Sequence, residues 1–134
     1  MNYNADFNSN WIRDKIDEKA IEFAERFAGE ILANRRKGLS TSQIRNFYGE
    51  LKRIQMKGIT TETKAKTDFI LLKPKLAYAT RRNSTEGSQA FDLVVQKAID
   101  ATDINNEGYE IRFQNFCDFI EAILAYHKAK GGKD

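Results

Sequence analysis

The chain has 134 residues, 41% of them hydrophobic and 31% charged, with a formal net charge of +3. That length can bury one core without disulfide or metal staples. Its single His and single Cys cannot build a catalytic His pair, a Cys/His zinc cluster or an intrachain disulfide. The periodic signal is helical almost throughout.

A first helix is predicted from about Asn10 to Arg36. Ile12, Ile16, Ala20, Phe23, Phe27 and Ile31 recur there every three or four residues, and Glu18, Glu22, Glu25 and Arg26 lie off that stripe. Arg35-Arg36-Lys37 complements its C-terminal dipole before Gly38 stops it. A second helix opens at Ser40, with Gln43 placed to complete a capping box. It buries Ile44, Phe47, Tyr48, Leu51 and Ile54 and ends at Gly58.

A third helix begins near Thr60-Thr61. Ala65, Phe69, Leu72, Leu76 and Ala79 keep one phase across Pro74, which predicts one helix kinked there with the ring toward solvent. A short break with Pro74 opening a new helix is the alternative. A polar connection at 82–85 leads to a fourth helix carrying Phe91, Val94, Val95, Ala98 and Thr102. An Asn- and acid-rich loop, 103–108, precedes a fifth carrying Tyr109, Phe113, Phe116, Cys117, Ile120, Ile123, Leu124 and His127. The expectation is all-α: a five-helix bundle forming a single domain over 1–134, with 1–9 and 130–134 frayed. No run is long and apolar enough for a membrane span, and residues 1–10 lack the features of a signal peptide. A cytoplasmic protein is expected.

No nucleophile–base pair is in prospect. Cys117 and His127 are ten residues apart on one helix, about 15 Å along its axis. Cys117 reads as a small buried hydrophobe, and His127 as a packed or carbonyl-capping residue in a last turn. Glu18, Glu22 and Glu25 have no matching His or carboxylate cluster, and no phosphate-binding glycine loop exists. Catalytic residues, metals and cofactors are therefore not expected.

The charge is segregated instead. Residues 35–82 hold 13 Lys/Arg against 3 Asp/Glu, a net of +10, and the remainder carries −7. Such segregation points to a polyanionic partner. On the second helix Arg45, Gly49 and Lys52 share a strip. A glycine there costs about 1 kcal/mol relative to Ala. It would allow close approach of a phosphate chain or of a neighbouring helix. Arg53 and Lys57 point further round and read as solvated charges, although Arg53 stays among the candidate nucleic-acid contacts. On the third helix Lys73 and Lys75 flank Pro74, and Arg81-Arg82 close the element. Tyr78 faces away from the stripe, toward a base or, more simply, a protein neighbour. Phosphate and sugar contact rather than base reading is the expected mode. A helical adaptor whose basic face meets an acidic protein, or a helix-turn-helix DNA regulator opening at Ser40–Gln43, are the alternatives.

Three blocks carry a resemblance. They are LSTSQIRNF (Leu39 to Phe47), LKPKLAYATRR (Leu72 to Arg82) and FCDFIEAILAYH (Phe116 to His127) with the closing Gly131-Gly132-Lys133-Asp134. In order and spacing they resemble the small subunit of type III-A CRISPR effector complexes, the Csm type. The first helix matches only as an amphipathic helix. The resemblance implies a non-catalytic bundle whose copies stack head to tail as a minor filament. It also implies a basic surface along the backbone of the guide–target duplex, blind to sequence. Its partners would be guide RNA, target RNA, other subunits of the complex and further copies of itself, without a membrane. RNA cleavage would belong to the backbone subunits, and DNase and cyclic-oligoadenylate activities to the large subunit. Arg45 and Arg82 match basic positions of that family. Lys52, Lys75 and Arg81 transfer less directly, and the family often has a small residue where Arg81 stands.

Overall fold

The computed structural model describes residues 1–60 and 63–132; Thr61, named at the start of the third predicted helix, and Lys133 and Asp134 of the tail lie outside them. Among the described residues every regular element is helical. In chain order they are α1 (Tyr3–Asp6), α2 (Asn10–Arg13), α3 (Glu18–Arg26) with a π-helical continuation (Phe27–Leu32), α4 (Thr41–Lys57), α5 (Thr63–Arg82), α6 (Glu86–Thr102) and α7 (Tyr109–Ala129).

The predicted first helix is in fact two. Asp17 ends the interruption by accepting from the Ala20 N–H, an N-cap that starts α3. The carbonyls freed at the end of α2 are satisfied from across the core: Asn115 Nδ2 donates to Ile12 O at 3.0 Å and to Asp14 O at 3.2 Å. The apolar stripe survives because α2 and α3 both pack on α7. The helix also stops before Gly38. The wider π turn places Phe27, Ala28 and Leu32 in the core. Asn34 then folds the chain back, its side chain accepting from the Arg36 and Lys37 N–H groups.

Residues 1–9 were expected to fray, yet they carry α1. Tyr3 and Phe7 pack into an aromatic cluster with Trp11, Phe23, Phe27 and Phe119. Such ring pairs add to the area they bury.

The Ser40/Gln43 capping box forms on α4, and Gly58 closes it at φ 87°. The α5 helix passes through Pro74 without breaking, and Pro74 is exposed. Ala65, Phe69, Leu72 and Leu76 are buried as expected, but Ala79 is exposed because the last turns of α5 overhang a cleft. The α6 helix opens on a capping box of its own, Thr85 with Ser88. The α7 helix is the central element, in contact with α2, α3 and its π continuation, α4 and α6. Phe69 of α5 meets Phe113 and Phe116 of α7 edge to face. His127 does bond a carbonyl, but one from across the fold: its Nε2–H donates to Leu39 O at 2.7 Å. Its buried Nδ1 has no hydrogen-bond partner among the described residues.

Candidate nucleic-acid interface

The hairpin of α4 and α5 sets where the cations go. Lys57 pairs with Asp68 at 3.1 Å, and Glu50 with Lys75 at 3.7 Å. One helical step further, Gln43 and Arg82 line one cavity. Each step forward on α4 is thus a step back on α5, an antiparallel register. The two ends of the +10 segment are thereby brought to one end of the bundle. Arg35, Arg36 and Arg82 line a cavity of about 550 Å³ there, together with Gly38, Gln43 and Asn83.

The start of α6 is tied into the same corner. Its Gly87 N–H donates to Lys37 O at 2.6 Å, and Thr85 Oγ1 donates to Gly38 O at 3.1 Å. Lys37 pairs with Glu86 at 3.5 Å. Arg35, Arg36 and Arg81 have no ion-pair partner among the described residues, and Arg82 lies over the Tyr78 ring, 5.7 Å from its centroid. All four are exposed. Unpaired guanidiniums in one corner suit phosphate oxygens, which their planar fork can bind in pairs.

The other predicted contacts fall elsewhere. Arg45, Gly49 and Lys52 do share an exposed strip of α4. A Cβ at Gly49 would meet nothing within 4 Å, so no part of this chain fills the gap. Lys52 sits over Tyr48 at 5.5 Å, and the Tyr48 hydroxyl donates to Glu121 of α7 at 3.4 Å. Hydrogen bonding to the Tyr48 oxygen, and to a lesser extent the Glu121 charge, hold the Lys52 ammonium above its ordinary range.

This strip lies on the α7 side of α4. Lys75 and Arg53 lie on the other side, where both reach Glu50, Arg53 at 3.2 Å, and Lys75 lines one cavity with Arg82. Lys73 is drawn further away by an ion pair with Asp100, while its carbonyl accepts from Gln96 Nε2 at 2.9 Å. Exposed pairs of this kind contribute about 0–1 kcal/mol, so a phosphate can displace the carboxylates. The fold therefore unites Arg82 with Arg35 and Arg36, and separates both from the Arg45–Lys52 strip.

Arg35 and Arg36 were read in the sequence only as complements to a helix dipole. The signal that could have placed them is that Arg35 and Arg82 bound the basic segment, and an antiparallel hairpin joins such ends. The lone cysteine and the lone histidine are both buried. Burial, with the Asp118 charge beside it, pushes the Cys117 thiol up to about 12. His127 is fully covered, with Gly132 over its ring.

No helix among the described residues is long and apolar enough to cross a membrane. Searches among curated proteins and among solved structures gave no match. A family model described as Csm2 Type III-A matches residues 14–133, which takes in all three sequence blocks, apart from the final Asp134, and every arginine of the corner described above. With nearly the whole chain so matched, the protein belongs to the Csm2 Type III-A family, the small subunit of type III-A CRISPR complexes.

Proposed function

We propose that this subunit has no chemistry of its own and grips the sugar–phosphate backbone of the guide–target RNA, without reading its sequence, in antiviral defence in the cytoplasm. The observation that carries this is the corner of unpaired arginines, Arg35, Arg36 and Arg82, assembled from both ends of the +10 segment. The Arg45–Gly49–Lys52 strip supplies a second contact, open where Gly49 has no side chain. In RNA-guided complexes base pairing tests the sequence, so protein needs only backbone and shape contacts. A few cations bind RNA weakly, and repetition along a filament multiplies them.

Head-to-tail stacking fits the unlike ends of the bundle. One end is the arginine corner. The α4 and α7 helices are antiparallel, since Leu39 lies by His127 and Tyr48 by Glu121. That register brings exposed Met56 and Ile111 toward the opposite end, where the chain around Ile111 carries Asp103, Glu107 and Glu110 and Lys66 lies over the Tyr109 ring. Unlike surfaces of this kind are what a heterologous contact requires.

The test is a gel shift of the purified chain with RNA, in competition with an acidic polypeptide and with duplex DNA. Preferential retention of RNA is expected, weakened by Arg45→Ala with Arg82→Ala while folding is kept. Displacement of RNA by the acidic polypeptide would favour an adaptor that binds a protein. Preference for duplex DNA would revive a DNA regulator.

A further inference from the structure

A smaller cavity adjoins the arginine corner. It lies between α4 and α5, holds about 260 Å³, and is floored by Leu39, Phe47, Leu76 and Phe91. Gln43, Arg82 and Asn83 line both cavities, so the apolar slot opens directly onto the cationic one. Its volume falls just below the ~300–1,000 Å³ of ordinary small-molecule sites, a space for one ring system rather than a whole cofactor.

The rim is polar: Glu50 and Lys75, paired with each other at 3.7 Å, line it together with two amides. Asn46 and Asn83 are exposed, and neither side chain has a hydrogen bond among the described residues. An amide both donates and accepts, so it can pair with the edge of any base. Because the two spaces share a wall, one molecule that joins an anion to a flat apolar group can fill both.

We propose that the slot and the corner together form a site for one nucleoside phosphate unit. The base rests on Phe47 and Leu76 and is edged by Asn46 and Asn83. The phosphate rests on Arg35, Arg36 and Arg82. For an RNA strand this deepens the backbone-gripping role and rests on it; a free nucleotide carries the same chemistry. The site adds base burial that phosphate contact alone does not supply, and the two-way amides keep it indifferent to which base enters.

The test is an amide-resolved NMR titration of the full chain with nucleoside 5′-monophosphates, with inorganic phosphate, and with an RNA strand and an abasic strand of equal length. The monophosphates are expected to move the amides of both Phe47–Ala79 and Arg36–Asn83, and phosphate only the second set. Ala79→Leu places bulk at an exposed helical position on the slot wall. It should weaken the monophosphate about tenfold and leave the phosphate response in place. Arg35→Ala with Arg36→Ala should weaken both.

Tighter binding of the intact strand than of the abasic one assigns the site to RNA. Equal binding of the two strands, with the monophosphate response retained, assigns it to a free nucleotide. Monophosphates that move only the arginine amides, or that are indifferent to Ala79→Leu, overturn the proposal. So does an N-acetyl-phenylalanine amide that fills the slot equally well, which would give it to a protein side chain. In each of these cases RNA retention in the gel shift would still stand. Failure of that retention alone overturns the backbone role instead.

Discussion

Three single residues separate packing from function. Gly38 lies where a Cβ would come within 2.3 Å of the Asn34 and Leu32 carbonyl oxygens, and a Cβ on Gly87 would come within 2.7 Å of the Gly38 backbone. Two chain segments touch there, so Gly38→Ala should cost about 1–3 kcal/mol in urea denaturation. Gly49 is the opposite case: its space is open, and Gly49→Ala should stabilise the isolated chain by about 1 kcal/mol. If a strand or a neighbouring copy occupies that gap, the same substitution should weaken RNA capture by the assembled complex. Cys117 yields a pH dependence. Its raised pKa means that the folded chain keeps a proton that the unfolded chain releases. Stability is therefore full below the ordinary value of 9.0 and falls as pH rises toward about 12. Denaturation across that range should show the fall, and Cys117→Ala should flatten it. Below pH 9 the native thiol should resist alkylation.

Elements bounded by local side-chain chemistry were legible in the sequence. Ser40 and Gln43 announced α4, and the pair bonds in both directions, 2.9 Å from Ser40 N to Gln43 Oε1 and 3.1 Å from Gln43 N to Ser40 Oγ. Ser40→Ala should cost about 1 kcal/mol, read from the same denaturation curve. The division between α2 and α3 was not legible. The apolar period crosses it unbroken, and the residue that satisfies the freed carbonyls, Asn115, is about a hundred positions away. Asn115→Ala should remove both bonds and cost about 0.5–1.5 kcal/mol, since water reaches the exposed Asp14 carbonyl. Ala79 was misplaced for a related reason: phase on a helical wheel gives direction, but not whether a neighbour extends far enough to cover the last turn. The loop 103–108 depends on Arg112, whose guanidinium donates to the carbonyls of Thr102, Asp103, Asn106 and Glu107 at 2.7–3.0 Å. That contact spans ten residues and carries no local motif.

At the scale of the molecule, charge segregation was visible in the sequence and its geometry was not. Counting gave +10 over 35–82. Only the antiparallel α4/α5 register shows that Arg35 and Arg36 join Arg82, while Lys73, Lys75 and Arg53 turn to carboxylates. The same register makes the two ends of the bundle unlike. Met56→Glu with Ile111→Glu, both on exposed positions, should leave the isolated chain folded and disrupt its assembly, measured by light scattering. The central claim is that the arginine corner holds phosphates. Its most direct test is the salt dependence of target RNA capture by the complex reassembled with Arg35→Ala, Arg36→Ala and Arg82→Ala subunits. Each lost phosphate contact removes about 0.7–0.9 from the slope of log K against log salt. The expected result is weaker capture with a slope shallower by about two per subunit engaged, on that same scale. Capture of unchanged strength and unchanged slope would contradict the role assigned to these arginines.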